Sequence, residues 1–264
     1  MEIITSIHNI KIKQLLKLAQ SPRTSKKSDL TLFEGTSLIS DYLTSGFDYE
    51  VVIFDQSKMD NFEIRQLINR VPEDRLLIVV EHIFSKLTQV QTSPGALVII
   101  KRPRPKTFVV NSDIGQNILL FDRIQDPGNL GTILRTALAV GLKTIVLSAG
   151  SVDAFSPKVI RASMGAVFKL NIYEQQDLRL VISQVKPDYQ VMVTSSHAKK
   201  NIFQLKLTSS TAWLLGNEGS GVDEALFMLA DQKVIIPQEP EVESLNLATA
   251  TSICLYEQYR QLHY

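Results

Sequence analysis

The sequence predicts an α/β protein with two domains, and two patterns lead to that prediction. Short apolar runs alternate along the chain with amphipathic stretches, which is the pattern of strands followed by helices. The segment KRPRPK at 101–106 interrupts this alternation with prolines and charges, as is typical of a linker. We therefore place a small α/β domain at 1–106, a linker at 107–115 and a larger α/β domain at 116–264.

In the first domain, four runs rich in β-branched and aromatic residues predict strands, and four amphipathic stretches predict helices. The predicted strands are 30–35, 49–54, 75–80 and 96–101. The predicted helices are 7–19, 36–45, 61–70 and 81–90.

In the second domain the same alternation continues with longer loops. The predicted strands are 117–122, 144–148, 168–172, 190–194, 211–215 and 233–236. The predicted helices are 129–140, 156–165, 177–185, 222–230 and 245–261. Regular alternation of strand and helix predicts a mostly parallel sheet that is covered on both faces.

Composition excludes several classes of protein. Of 264 residues, 44% are hydrophobic and 21% are charged, which suffices for a buried core. The single cysteine, Cys254, excludes an internal disulfide and argues against a cysteine-based metal site, so we expect no metal. We find neither a signal-peptide pattern nor an apolar run of membrane-spanning length, and therefore expect a cytoplasmic protein without a membrane partner.

Positive charge is concentrated at the N-terminus, although the net charge is only +1. Six basic residues lie within the first 27: Lys11, Lys13, Lys17, Arg23, Lys26 and Lys27. Such a cluster can neutralise the phosphates of a nucleic acid, and it can equally be a solvated helix face. Charge alone leaves both interpretations open.

Three stretches of the second domain carry chemical information, and the first is IQDPGNLGTILRTALAVG at 124–141. It begins with an Asp-Pro-Gly turn, after which Asn129 can cap a helix that Gly141 can end. Arg135 lies off the apolar face of this helix. The apolar face consists of Leu130, Ile133, Leu134, Ala137 and Leu138.

The second stretch, WLLGNEGSGVDEA at 213–225, runs from a buried strand through a glycine-rich loop into a helix. It lacks the Gly-Lys-Ser/Thr of a phosphate-binding P-loop, and its glycine spacing differs from that of a dinucleotide fingerprint. Glu218 would also repel a phosphate. The loop suits an uncharged or cationic ligand, and the alternative is an ordinary turn before a helix.

The third stretch is VIIPQEPEVESLNLATATSICLYEQYR at 234–260. A strand ends at Pro237, Ser244 is placed to cap the final helix, and Asn246 falls in its first turn. The helix is rich in small side chains, which permit close packing. Taken alone, this stretch is best explained as a C-terminal helix that closes the core.

Taken together, the three stretches closely resemble the signature motifs of the SpoU/TrmH family in order and spacing. These proteins are RNA 2′-O-ribose methyltransferases of the SPOUT class. The resemblance covers about residues 117–260 and includes FSPKVIRASMGAVFKL at 155–170. In the first domain, SIHNIKIKQLLKL and LFEG resemble the L30e-like substrate-binding domain of the family.

The resemblance implies features that general folding rules would not suggest. One is a deep trefoil knot at the C-terminal end, although chains rarely thread their own loops. Another is a homodimer through the C-terminal domain, built partly from the final helix and from the helix after the first motif. A third is S-adenosylmethionine, held in the knot. Its implied contacts are Thr194, Gly216, Ile236 and Leu245.

The resemblance also implies a catalytic site. It places Arg135 at the ribose 2′-hydroxyl, with Asn129, Glu218, Ser244 and Asn246 around it. Arg135 either removes the hydroxyl proton or, while protonated, holds the neighbouring phosphate and stabilises the developing alkoxide. The basic N-terminal cluster would bind RNA. Ribosomal RNA is the expected substrate, and the alternatives are transfer RNA methylation or a non-catalytic RNA-binding dimer.

Overall fold

The computed structural model describes residues 3–20, 28–110 and 115–264. The chain divides into two compact units. One comprises Met1–Arg104 with Phe155–Arg161, and the other comprises Pro105–Ala154 with Ala162–Tyr264.

The first unit contains a five-stranded mixed sheet with the strand order β1-β4-β3-β5-β2. Strands β1 and β3 run parallel to β4, whereas β5 runs antiparallel to β2 and β3. The strands are β1 (Ile3–Ile4), β2 (Leu30–Glu34), β3 (Val51–Asp55), β4 (Leu76–Val79) and β5 (Ala96–Lys101). The helices are α1 (Ile10–Gln20), α2 (Thr36–Thr44), α3 (Phe62–Ile68) and α4 (Glu81–Leu87). All four strands and four helices predicted for this part of the chain are confirmed. Among its described residues, the two-residue β1 and two short 3-10 turns were not predicted.

The second part of the chain forms a seven-stranded sheet with the order β10-β12-β9-β11-β6-β7-β8, in which all neighbouring pairs are parallel. The strands are β6 (Asn117–Phe121), β7 (Thr144–Ser148), β8 (Asn171–Gln176), β9 (Gln190–Thr194), β10 (Lys200–Asn201), β11 (Thr211–Leu215) and β12 (Gln232–Ile235). The helices are α5 (Pro127–Ala139), α6 (Pro157–Ala162), α7 (Leu178–Val185), α8 (Glu224–Phe227) and α9 (Leu247–His263).

The central strands explain why this sheet is parallel. In NILLF of β6, TIVLS of β7 and TAWLL of β11, nearly every residue is buried, so both faces of the sheet must be covered. Helices that connect parallel strands provide that cover. The predicted mostly parallel α/β sheet is therefore confirmed.

A buried polar contact fixes helix α9 on this sheet. Trp213 of β11 is fully buried, and its indole Nε1 donates a hydrogen bond of 2.8 Å to Gln258 Oε1. Gln258 Nε2 in turn donates to Asn117 Oδ1 at 2.9 Å and to Thr211 Oγ1 at 3.0 Å. Because a buried amide is costly without partners, these bonds select one position of the helix on the strands.

Two predicted elements of the second domain differ from the structure, and one strand was not predicted. The strand predicted at 168–172 is β8, which begins at Asn171, because Gly165 (φ 77°) starts a 3-10 turn through Lys169. The helix predicted at 222–230 is reduced to the single turn of α8. Strand β10 was not predicted, since two residues give no periodicity.

Two predicted helix caps are wrong. Asp126, and not Asn129, caps α5, because its carboxylate accepts the Asn129 amide at 2.7 Å and Pro127 fits the first helical position. Asn246, and not Ser244, caps α9. The end of α5 at Gly141 is confirmed, since this residue has φ 75° and the Leu142 amide bonds back to the Ala137 carbonyl at 2.9 Å.

Candidate active site

Glu218 lies in the glycine-rich loop after β11 and receives three hydrogen bonds from the first motif. The backbone amides of Gln125 and Asp126 each donate to its carboxylate at 3.0 Å, and Asn129 Nδ2 donates at 3.1 Å. Burial raises the pKa of Glu218, but the hydrogen bonds from Asp126, Asn129 and Gln125 outweigh it, so the pKa lies below the ordinary value. Glu218 is therefore an ionised acceptor at neutral pH.

Asn246 brings the third motif to the same point. Its Oδ1 caps α9 by accepting the amides of Ala248 at 2.9 Å and Thr249 at 3.2 Å. Its Nδ2 donates to Asn129 Oδ1 at 2.9 Å. Asn129 thus uses its amide group to join Glu218 on one side and Asn246 on the other. We call Asn129, Glu218 and Asn246 the three-motif junction.

A cavity lies at the carboxyl ends of β9 and β12. In open parallel α/β sheets, ligands bind at this end of the strands. It is lined by Thr194, Ser195, Ser196, Ile235, Ile236, Gln238, Ser244, Leu245 and Ala250. Three of the four predicted cofactor contacts, Thr194, Ile236 and Leu245, are among these residues. Its lining combines hydroxyl groups with aliphatic side chains, which suits a ligand with both polar and flat apolar parts.

Gly216, the fourth predicted cofactor contact, follows β11 and is not among the residues that line this cavity. A Cβ atom at this position would overlap the backbone of Gly221 and Val222, because the loop closes on itself through paired backbone hydrogen bonds between Asn217 and Gly221, both 3.0 Å. Only glycine permits this approach. The loop so formed presents Glu218 to the first motif.

Ser244 and Arg135 lie apart from the three-motif junction. Ser244 lines the cavity, two residues before Asn246. Arg135 is exposed on α5, six residues after Asn129, which corresponds to about 9 Å along the helix and roughly 120° around it. Within the described parts of the chain, Arg135 has no hydrogen-bond or ion-pair partner. The surface salt bridge that would give it a purely structural role is therefore absent.

The predicted RNA-binding residues are described in part. Lys11, Lys13 and Lys17 are exposed on α1, whereas its Ile12 and Leu18 are buried. The three lysines therefore face away from the core. The remaining members of the cluster, Arg23, Lys26 and Lys27, lie outside the described residues.

Sequence reasoning missed several residues that shape the site. The backbone amides of Gln125 and Asp126 are the main donors to Glu218, and no side-chain pattern could reveal them. Asn217 folds its own loop, since its Oδ1 accepts the amides of Gly219 at 2.9 Å and Ser220 at 3.0 Å. Asparagine followed by glycine-rich sequence is typical of such turns, so this signal was available.

Two further observations concern metal-ligating and thiol side chains in the described part of the chain. Across residues 3–20, 28–110 and 115–264, no three His, Cys, Asp or Glu side chains are grouped so that they could hold a metal ion. Cys254 is fully buried, and burial raises the pKa of its thiol to about 12. No helix in the described part of the chain is long and apolar enough to cross a membrane.

Comparison with known proteins decides the family. Residues 116–256 match the model of the SpoU rRNA Methylase family, and residues 9–98 match that of the MRM3-like substrate binding domain. This chain belongs to the SpoU rRNA methylase family. The SpoU/TrmH resemblance of the three motifs is thereby confirmed, and the chain is an RNA methyltransferase that uses S-adenosylmethionine.

Two relatives and one solved structure match this SpoU protein over nearly their whole length. The Bacillus subtilis 23S rRNA (guanosine(2553)-2′-O)-methyltransferase RlmP is 30% identical, over 97% of this chain and 98% of the relative. An uncharacterized tRNA/rRNA methyltransferase of Synechocystis is 32% identical, over 98% of this chain and 93% of the relative. The AdoMet-bound rRNA methyltransferase of Sinorhizobium meliloti superposes with a TM-score of 0.82 at 28% identity, over 100% of this chain and 99% of that chain.

Proposed function

We propose that this protein transfers the methyl group of S-adenosylmethionine to a ribose 2′-hydroxyl of ribosomal RNA. The observation that carries the proposal is the three-motif junction, which stands beside a cavity at the carboxyl ends of the parallel strands. The B. subtilis relative acts on a ribosomal RNA 2′-hydroxyl, which favours ribosomal over transfer RNA.

S-adenosylmethionine, when bound, supplies a methyl group on a positively charged sulfur. With this cofactor bound, the 2′-oxygen would form an O–CH3 bond as the S–CH3 bond breaks, S-adenosylhomocysteine would be the leaving product, and the hydroxyl proton would pass to solvent water. Within the protein, the ionised Glu218 provides a negative potential next to the reaction centre. Since its oxygens already accept three hydrogen bonds, we assign it the role of orienting Asn129 and not that of removing the proton.

The cavity residues would hold the cofactor. We assign Thr194, Ile236 and Leu245 to this role because they line the cavity, with Ser244 at its edge toward Asn246. Gly216 contributes by letting the neighbouring loop close tightly. Apolar side chains suit the adenine ring, and the hydroxyl groups of Thr194 and of the serines after it suit the polar remainder of the ligand.

Arg135 is proposed to act in a homodimer. Its position on the exposed face of α5, away from the junction of its own chain, suits delivery to the site of a second copy. Because a guanidinium stays protonated at neutral pH, we assign it to the phosphate and the developing alkoxide at the 2′-oxygen. The small-sided helix α9, which packs against α5 through Thr136 Oγ1 and Ser252 Oγ at 3.2 Å, is the proposed centre of the dimer contact.

The trefoil knot and the cytoplasmic location stay predictions. Support for the knot comes from the chain path. Ser195 and Ser196 after β9 border the same cavity as four residues after β12, namely Ile236, Gln238, Ser244 and Leu245, so these two segments lie close together where the family's knot is expected. For RNA capture we propose Lys11, Lys13 and Lys17, together with Arg23, Lys26 and Lys27.

Isothermal titration calorimetry with S-adenosylmethionine tests this function against a non-catalytic RNA-binding dimer. We expect one saturable site per chain in the wild-type protein and no binding by Ala250→Trp, which would fill the cavity. A control with Ala139→Trp, on the exposed end of α5, should bind normally. Absence of wild-type binding would favour the non-catalytic alternative.

A further inference from the structure

We propose that Asp122 and Arg123, at the end of β6, are positioning residues for methyl transfer. Together they hold both ends of the loop that carries Glu218, and so set the geometry of the three-motif junction. Neither residue lines the cofactor cavity. This inference rests on the proposed function for its catalytic consequence, but its structural part can be tested without any activity.

Asp122 holds the far end of the loop. Its side chain is buried, with 5% of its surface exposed. Its Oδ2 accepts the backbone amide of Asp223, the residue that ends the loop and caps α8, at 2.8 Å. The Asp122 amide donates to the Leu215 carbonyl at 2.8 Å, so the strand that enters the loop is held as well. One residue thus contacts both sides of the loop 216–222.

Arg123 fixes the near end through its backbone. Its carbonyl accepts Asn217 Nδ2 at 2.9 Å, and its amide donates to Ser148 Oγ at the end of β7 at 2.8 Å. Arg123 has φ 55°, a left-handed conformation that non-glycine residues seldom adopt. Such a conformation persists where the surroundings determine it strongly, and it turns the Arg123 carbonyl toward the loop.

The side chains of the two residues reinforce each other. Arg123 Nε and Nη2 donate to the two oxygens of Asp122 at 3.0 and 2.9 Å, which is a bidentate pair. This hydrogen-bonded pair raises the pKa of Arg123. Because two nitrogen atoms of the Arg123 guanidinium donate to Asp122, they restrain the carboxylate that accepts the Asp223 amide.

These contacts form a closed path with Glu218. The chain continues from Arg123 to Gln125 and Asp126, whose amides donate hydrogen bonds to Glu218. Asn217, which precedes Glu218 in the chain, donates from its Nδ2 to the Arg123 carbonyl and so completes the cycle. A displacement at residues 122–123 would therefore move both the donors and the acceptor. We call the contacts of Asp122 and Arg123 with the loop 216–222 the clamp. Since misplacement of about 1 Å can lower a rate about a hundredfold, we expect the clamp to affect catalysis.

Hydrogen exchange combined with kinetics tests the proposal in the full-length protein. We expect Asp122→Ala to speed exchange of the Gln125 and Asp126 amides and to lower kcat by at least about tenfold, with S-adenosylmethionine affinity within about twofold of wild type. Asp122→Asn keeps an oxygen that can accept the Asp223 amide, so its amide exchange rates and its kcat should lie between those of wild type and of Asp122→Ala. The control is Asp231→Asn, which loses a carboxylate that also accepts a backbone amide, that of Val191 at 2.8 Å, and that also pairs with a basic side chain, Lys186. Asp231 lies at the amino ends of the parallel strands, away from the loop 216–222.

Unchanged exchange at Gln125 and Asp126 in folded Asp122→Ala or Asp122→Asn would overturn the clamp, whatever the activity. A raised KM for RNA with normal exchange and normal kcat would also overturn it, because Arg123 would then be an RNA contact. If the wild-type protein methylates no RNA, the proposed function fails, while the exchange measurement still decides the clamp.

Discussion

Asn246 Nδ2 donates a hydrogen bond of 2.9 Å to Asn129 Oδ1, although 117 positions separate the two residues in the chain. Asn129 Nδ2 donates in turn to Glu218 at 3.1 Å. An amide side chain is suited to this place, because it offers a donor to the carboxylate and an acceptor to the second amide at the same time. The bond therefore makes Asn129 the link between the three sequence motifs.

Replacing Asn129 should disrupt this link. We expect Asn129→Asp to lose methyl transfer by at least about a hundredfold, because it replaces the donor with a carboxylate that repels Glu218. Asn129→Ala should also be impaired, while S-adenosylmethionine affinity stays near normal in both. Steady-state transfer of a labelled methyl group to ribosomal RNA measures the effect. A fully active Asn129→Asp would show that the junction has no part in the reaction.

Arg135 should matter for transfer and not for folding. Since it is exposed and lies off the buried face of α5, Arg135→Ala should keep the melting temperature within a few degrees and leave cofactor affinity near normal. Methyl transfer by Arg135→Ala should fall by at least about a hundredfold. Arg135→Lys should be little more active than Arg135→Ala, because lysine lacks the planar guanidinium with its paired donors. Unfolding of Arg135→Ala would instead assign the residue a structural role.

The proposed dimer makes Arg135 act across subunits, which complementation can detect. Mixing inactive Arg135→Ala with inactive Asn129→Ala creates heterodimers in which one of the two sites contains both intact residues. We expect roughly a quarter of wild-type activity after subunit exchange, since half of the dimers are mixed and half of their sites are complete. No recovery, although native mass spectrometry shows mixed dimers, would place Arg135 at the site of its own chain.

The lowered pKa of Glu218 predicts how stability depends on pH. A carboxyl whose pKa is lower in the folded than in the unfolded state stabilises the protein when ionised. This contribution is complete at neutral pH, starts to fall below the ordinary glutamate value of about 4.3, and is lost below the folded-state pKa. Urea unfolding of wild type and Glu218→Gln should therefore differ most at pH 7 and converge toward pH 3. A constant difference would contradict the assignment.

The lysines of α1 should contribute to RNA affinity through phosphate contacts. Replacing Lys11, Lys13 and Lys17 with alanine should weaken binding and reduce the slope of log affinity against log salt by about 2 to 3. Filter binding at salt concentrations from about 50 to about 200 mM measures both the RNA affinity and its dependence on salt. Replacing exposed Lys58 and Lys86, outside the predicted cluster, provides the control. An unchanged slope would show that these lysines form a solvated helix face and make no phosphate contacts.

Much of the fold was predictable from sequence because its signals are local. The parallel sheet follows from the largely apolar runs of β6, β7 and β11, and the end of α5 follows from Gly141. The short elements β1 and β10 could not be predicted, because two residues show no periodicity and depend on pairing with β4 and β12.

The roles of the predicted site residues stay predictions, but the structure brings several of these residues together. Thr194, Ile236 and Leu245 do border one cavity, and Asn129, Glu218 and Asn246 do meet. The amides of Gln125 and Asp126 and the support from Asp122 depend on backbone positions that no residue pattern encodes. Both helix caps were misassigned for a related reason, since several polar residues near each helix start could cap it and tertiary contacts select one.

The most direct test of the central claim is nucleoside analysis of RNA methylated by the purified protein. Unmodified ribosomal RNA and, in a separate reaction, unmodified transfer RNA are each incubated with methyl-labelled S-adenosylmethionine, digested to nucleosides and resolved by mass spectrometry. We predict that the label appears in a 2′-O-methylnucleoside and depends on Arg135 and Asn129. Label in a base-methylated nucleoside, or label in transfer RNA alone, would contradict the account.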